Sequence, residues 1–166
     1  MALLTEDGSI VAGAESLCSV ATADAFFGNR GNTAWAALTT AAKEQALRKA
    51  TDYMGQRYID RWKGLIVAES QRLDWPRSGV VVRGYEISYT TIPDAVKHAC
   101  AMLAVRASAG ELLADEERGI RSEKIGPIAI EYDPASPQAK RYPEVEKLLA
   151  PYLAGFSGVN VRLERA

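Results

Sequence analysis

The segment from Thr40 to Gly64 restricts the fold more than any other. Within it Ala46, Leu47, Ala50, Tyr53, Met54 and Tyr58 recur at three- and four-residue spacing, while Lys43, Glu44, Arg48, Lys49, Asp52 and Gln56 fill the positions between. Only an α-helix sorts these two sets onto opposite faces. Thr39 or Thr40 can act as the N-cap, and the pattern stops near Trp62-Lys63-Gly64. A helix with one apolar stripe has to bury it against another element, and the chain offers three more of the same kind. Ser19 can cap a helix with Ala21, Ala25 and Phe26 on its apolar face, ended by the cluster Gly28-Asn29-Arg30-Gly31-Asn32; a short segment around Trp35 and Leu38 follows. Pro93 and Asp94 open a third helix, in which Val96, Ala99, Cys100, Leu103, Ala104 and Ala107 form the buried stripe. A fourth follows Tyr142-Pro143 with Val145, Leu148, Leu149 and Tyr152 inward, and Pro151 weakens its last turn.

Small residues at the contact positions predict a mainly α fold, a compact four-helix bundle with a long irregular loop, a β-hairpin and an extended C-terminal tail. The expected organisation is one domain over 1–166, with a helical core of about 19–114 and 141–154, a hairpin of about 120–133 and a tail of 157–166. Three stretches depart from a plain bundle. Gly64 to Ile92 runs nearly thirty residues without a helical period and includes Leu73-Asp74-Trp75-Pro76-Arg77 and Val80-Val81-Val82. Loops of that length are uncommon in compact domains unless they have a function. Residues 120–133 read as a hairpin, with Ile128, Ile130 and Tyr132 alternating against Ala129 and Glu131 after Gly126-Pro127. Gly158 to Ala166 alternates Val159, Val161 and Leu163 against Asn160, Arg162 and Glu164.

An isolated hairpin is marginal in water, and an alternating terminal strand leaves a row of open backbone groups. A neighbouring subunit or another protein can complete both by strand addition. The plainer alternative is that hairpin and tail pair with each other, or with a strand from Val80 to Ile87, inside one chain.

Bulk properties exclude several classes. The 20 basic residues are balanced by 21 acidic ones, so the cationic surplus usual in duplex binders is missing. There is no run of about 18 apolar residues and no basic, then apolar, leader, which predicts a cytoplasmically made protein without a membrane contact. Cys18 and Cys100 lack CxxC spacing and read as buried thiols. The single histidine, His98, sits mid-helix among Lys97, Ala99 and Ala101 and reads as a surface or partly packed side chain. Glu116-Glu117 reads as a solvated turn beside Arg118. No nucleophile elbow, zincin, dinucleotide or P-loop pattern occurs, so no catalytic residue, cofactor or metal is expected.

One constellation points toward nucleic acid. Arg57, Tyr58, Arg61, Trp62 and Lys63, with Trp75 and Arg77, mix cations with aromatics as single-strand binders do. Against it, Tyr58 and Trp62 are spaced as the end of the long helix's buried stripe, with Trp75 as a plug under the loop. The packing reading is the stronger of the two.

Several elements occur in an order that resembles a known family. They are Glu6-Asp7-Gly8, Ser19-Val20-Ala21-Thr22-Ala23-Asp24, Gly31-Asn32-Thr33-Ala34-Trp35, Arg61-Trp62-Lys63-Gly64, Asp74-Trp75-Pro76-Arg77 and Gly126-Pro127-Ile128. Together they resemble tailed-phage and prophage proteins often labelled DnaT-like single-stranded DNA-binding, which look like head–tail connector adaptors. The resemblance implies a structural virion subunit, made in the host bacterial cytoplasm and located in the neck. There it would form a homo-oligomeric ring, usually a dodecamer, between the portal protein and a stopper or tail-completion protein. DNA would pass through its channel without sequence-specific binding. The alternative is a DnaT-like replication accessory that binds single strands. Combining resemblance with residue pattern, the expected partner-binding positions are Val159, Val161, Leu163, Ile128, Ile130, Tyr132, Trp75 and Arg77.

Overall fold

The computed structural model describes residues 2–113, 122–125, 128–131 and 141–155. Its helices are α1 (Val20–Gly28), α2 (Thr33–Ala36), α3 (Thr40–Tyr58), α4 (Asp94–Ala109) and α5 (Pro143–Leu149), followed by a 3-10 turn at Ala150–Tyr152. The first three start at side-chain caps: Ser19 accepts from the Thr22 amide, Asn32 from Trp35 and Thr39 from Ala42. α4 opens without such a cap, after Pro93 and with Asp94 in its first turn.

All four helices expected from periodicity are present, and the segment around Trp35 adds a fifth of one turn. They differ in rank, so a bundle of four comparable helices does not describe them. α3 and α4, of 19 and 16 residues, form the one long pair; α1 and α5, of nine and seven, pack against α4. Along the long pair, Leu47, Ala50 and Met54 of α3 and Val96, Ala99, Cys100, Leu103 and Ala104 of α4 are buried in one cluster. Alanines and a cysteine supply much of this contact, small side chains of the kind that let two helices pack closely.

The segment between α3 and α4 is more ordered than an irregular loop. It holds β1 (Leu65–Ile66) antiparallel to β2 (Arg77–Ser78), then β3 (Val81–Val82) antiparallel to β4 (Tyr85–Glu86). A third pair, β5 (Ser122–Ile125) with β6 (Ile128–Glu131), is the hairpin read from the sequence. The three pairs are separate two-stranded sheets, so the hairpin does not pair with the Val80–Ile87 stretch. Pairing of hairpin with tail falls outside the described residues, as do Tyr132, Val159, Val161, Leu163 and the Glu116-Glu117 turn.

Both ends of the described chain are tied to this segment or to its neighbours. Leu153 bridges Trp62 antiparallel, with Lys63 N donating to the Tyr152 carbonyl (3.0 Å) and Ala154 N to that of Arg61 (2.6 Å). At the other end, the buried Glu6 carboxylate accepts from the amides of Gly8, Ile10 and Val11 at 2.9–3.0 Å. Gly8 sits at φ 110°, and a Cβ there would overlap the Thr90 carbonyl oxygen.

Candidate contact surface between α3 and α4

The segment is held by its own side chains. Trp75 is 0% exposed and packs edge-on against Trp62 (5.7 Å between centroids) and Tyr152 (5.9 Å). Asp74 accepts from Trp62 Nε1 at 3.0 Å. Burial raises the Asp74 carboxyl above its ordinary value, against the opposing pull of that hydrogen bond and of Arg77. Arg77 is 7% exposed and spends its fork on three backbone carbonyls: Lys63 (2.8 Å), Gly64 (2.8 Å) and Asp74 (3.1 Å). Gln71 closes the interior, donating to the Leu73 and Pro76 carbonyls and accepting from Val67 N. The neck is tight, since Gly64 stands at φ 70° and a Cβ there would strike the Ser78 carbonyl and Val80.

Trp75 and Arg77, both expected as partner-binding positions, are buried in this chain: one plugs the core and the other clamps the neck of the loop. Trp62 and Tyr58 are likewise buried, as the packing reading of the α3 stripe requires. The cations beside them are engaged internally: Arg57 with Glu146 (3.7 Å), Arg61 over the Tyr58 ring (5.8 Å), and Lys63 Nζ with the Pro151 carbonyl (2.8 Å). A stacking platform built on Trp62 and Trp75 is therefore closed to bases.

What the segment exposes is a different set. Leu65 is 73% exposed, and Ile66 and Val81 are about half exposed. Tyr85 is 78% and Tyr89 59% exposed. The β3–β4 turn explains part of this display. Arg83 and Gly84 both have positive φ, 53° and 84°, the backbone of the two-residue hairpin turn that suits twisted strands. That turn lifts Arg83 and Tyr85 off the core. Arg83 has no hydrogen bond, ion pair or ring contact among the described residues. Sequence reasoning missed this site, although Arg83-Gly84 between Val82 and Tyr85 carried the hairpin signal.

The remaining chemistry-bearing groups are occupied in packing. His98 stacks on Phe26 (4.3 Å), and burial lowers its pKa against the opposing charge of Asp94. Cys18 and Cys100 are free and buried; burial pushes both thiols up, Cys100 to about 11. Cys100 Sγ lies 3.4 Å from Thr51 Oγ1. A cleft of about 380 Å³ between α1 and α2 is lined by Asp24, Phe27, Trp35 and Lys43, but its carboxylate already accepts from Trp35 Nε1 (2.6 Å) and Lys43 Nζ (2.9 Å). Among the described residues no group of three or more His, Cys, Asp or Glu is placed to hold a metal, and no helix is long and apolar enough to cross a membrane.

The family model described as "Putative DnaT-like ssDNA binding protein" matches residues 1–166. The chain belongs to this DnaT-like family. No curated protein and no solved structure matches it. In this DnaT-like chain, several of the motifs singled out in the sequence are devices of the fold. Glu6-Asp7-Gly8 is the carboxylate-bound N-terminal turn, and Asn32 and Trp35 are a cap and a buried ring. Asp74-Trp75-Pro76-Arg77 is the loop clamp, with a cis Trp75–Pro76 bond.

Proposed function

We propose that this chain is a non-catalytic binding protein whose contact surface is the outward side of residues 65–89. The ligand favoured by the family match over 1–166 is single-stranded DNA. Tyr85 and Tyr89 supply exposed ring faces for bases and Arg83 a cation for the backbone, the combination that single-strand binders use. The net charge of −1 implies that stacking carries more of the affinity than phosphate contacts, so the salt slope is shallow. The test is anisotropy of a labelled oligothymidylate at two salt concentrations. Tyr85→Ala and Tyr89→Ala each weaken binding roughly 5- to 150-fold, from about 1–3 kcal/mol per stacked base. Wild-type binding that ignores both substitutions rejects this surface, and no binding at micromolar protein rejects the ligand.

A second reading is supported by the exposed Leu65, Ile66 and Val81, carried on two-residue strands that belong to two-stranded sheets. Apolar side chains beside open strand edges suit a protein partner. In this reading the chain is a head–tail adaptor in the virion neck, a ring subunit between portal and stopper that lets DNA pass without sequence-specific contact. Mixing with purified portal followed by electron microscopy tests it. Rings on the portal support the adaptor, and absence of any complex at micromolar concentration rejects it.

A further inference from the structure

The long helix α3 carries a glycine in its interior, Gly55, a residue that weakens helices. Packing does not require it. A Cβ at Gly55 would meet only Asp74 Oδ2, at an ordinary 3.9 Å. The bare backbone opens instead onto a pocket of about 270 Å³ between α3 and the segment that follows it. Leu17 and Thr51 make its buried lining, and Gly55 and Asp74 are half-buried in its wall. Asp52, Gln56 and Arg72 are exposed at its mouth. Sites for drug-sized molecules run from about 300 to 1,000 Å³, so this one suits a single flat ring system.

The fold has already placed the polar groups. Asp74 Oδ2 accepts from Trp62 Nε1 (3.0 Å), which leaves the second carboxylate oxygen without a hydrogen bond among the described residues. Arg72 gives one donor to the Gly13 carbonyl (3.2 Å) and has four more on its guanidinium. The N-terminal stretch 8–13 that holds Arg72 also sets Gly8 against the Thr90 carbonyl, beside the exposed Tyr89. Pocket and tyrosine surface thus border the same stretch of chain.

We propose that this pocket receives one guanine base, with Asp74 accepting from the adjacent N1 and N2 donors and Arg72 donating to O6 or N7. Guanine alone among the four bases presents two neighbouring donors to a carboxylate, whereas thymine has one, set between two carbonyls. Arginine on O6 and N7 is the commonest specific contact to guanine. Asp52 at the mouth repels a phosphate, so the base enters and the backbone stays outside. The inference rests on the single-strand reading for its setting, and adds a base preference to the sequence-tolerant stacking on Tyr85 and Tyr89.

Anisotropy of the full chain with two labelled oligonucleotides, all thymine and thymine with one central guanine, reads the preference. Titration calorimetry with guanosine monophosphate tests the base outside a strand, and circular dichroism confirms that each variant is folded. The wild type prefers the guanine-containing strand roughly 5- to 150-fold. Asp74→Asn keeps an acceptor for Trp62 Nε1 but breaks the paired acceptance, and the preference disappears. Gly55→Leu fills the pocket from a helix it favours, so the same loss comes from a chain whose melting temperature is not lowered. Strand preference without binding of the free nucleotide names the strand as the source of the base. Equal affinity for both strands in the wild type, or a preference that survives either substitution, overturns the pocket. A wild type that binds neither strand rejects the single-strand reading; the pocket then stands if guanosine monophosphate binds and Asp74→Asn abolishes that binding, and falls otherwise.

Discussion

Replacing Arg77 with alanine removes the clamp at the neck of the α3–α4 segment and leaves the carbonyls of Lys63, Gly64 and Asp74 without their donor. A hydrogen bond from a charged donor contributes about 1.5–3 kcal/mol. The three together are offset in part by the cost of desolvating a guanidinium, which is why burial lowers its pKa. A net loss of about 3–4 kcal/mol follows. For a chain of this size each kcal/mol moves the melting temperature by about 2–4 °C, so Arg77→Ala lowers it by about 6–16 °C. Arg77→Lys recovers little, because one compact ammonium cannot serve three carbonyls set out as a planar fork. Thermal unfolding followed by circular dichroism measures the shift, and limited proteolysis of the native variant locates the weakness in residues 64–78. A melting temperature within about 2 °C of wild type would refute the clamp, whatever the effect on binding.

Three further outcomes follow from the same geometry. Arg83→Asn stabilises the chain by about 0.5–1 kcal/mol, because asparagine tolerates the left-handed backbone that arginine adopts only at a cost; urea unfolding that shows no gain contradicts the strain. The raised pKa of Asp74 means its contribution to stability is fullest below the unfolded aspartate value of about 3.9 and is lost as pH rises through the folded value. Asp74→Asn keeps an acceptor for Trp62 Nε1 and removes that loss, so its stability relative to wild type improves between pH 4 and pH 7, and an unchanged difference would contradict the assignment. Cys18 and Cys100, buried with raised pKa values, resist a thiol reagent at neutral pH until the chain is unfolded; rapid labelling of the native chain contradicts their burial.

The helices were legible because each carries its own signal: a periodic stripe, a cap such as Ser19 or Thr39, and a stop such as Gly28-Asn29. The hairpin was legible from the alternation of Ile128 and Ile130 against Ala129. The role of Arg77 was not. An arginine after Asp-Trp-Pro looks the same whether it meets a phosphate or a carbonyl, and only the return of Lys63-Gly64 to the same place decides between them. Glu6 is hidden for a similar reason, since its partners are amides of the adjoining turn and leave no trace in residue type. Tyr85 was missed because Gly64 to Ile92 shows no period that sorts its residues into inner and outer sets; of the apolar run Val80-Val81-Val82 the structure buries Val80 alone and turns Val81 outward. Local periodicity reports elements well, but the accessibility of a two-residue strand is set by what lies above it.

Hydrogen exchange with and without an oligothymidylate tests the central claim most directly, that contact is made by the exposed side of the α3–α4 segment and not by its buried tryptophans. The account predicts slower exchange across residues 81–89 when the oligonucleotide is added, with amides near Trp62 and Trp75 unchanged. Protection centred on Trp62 and Trp75, or no change anywhere at saturating oligonucleotide, would contradict it.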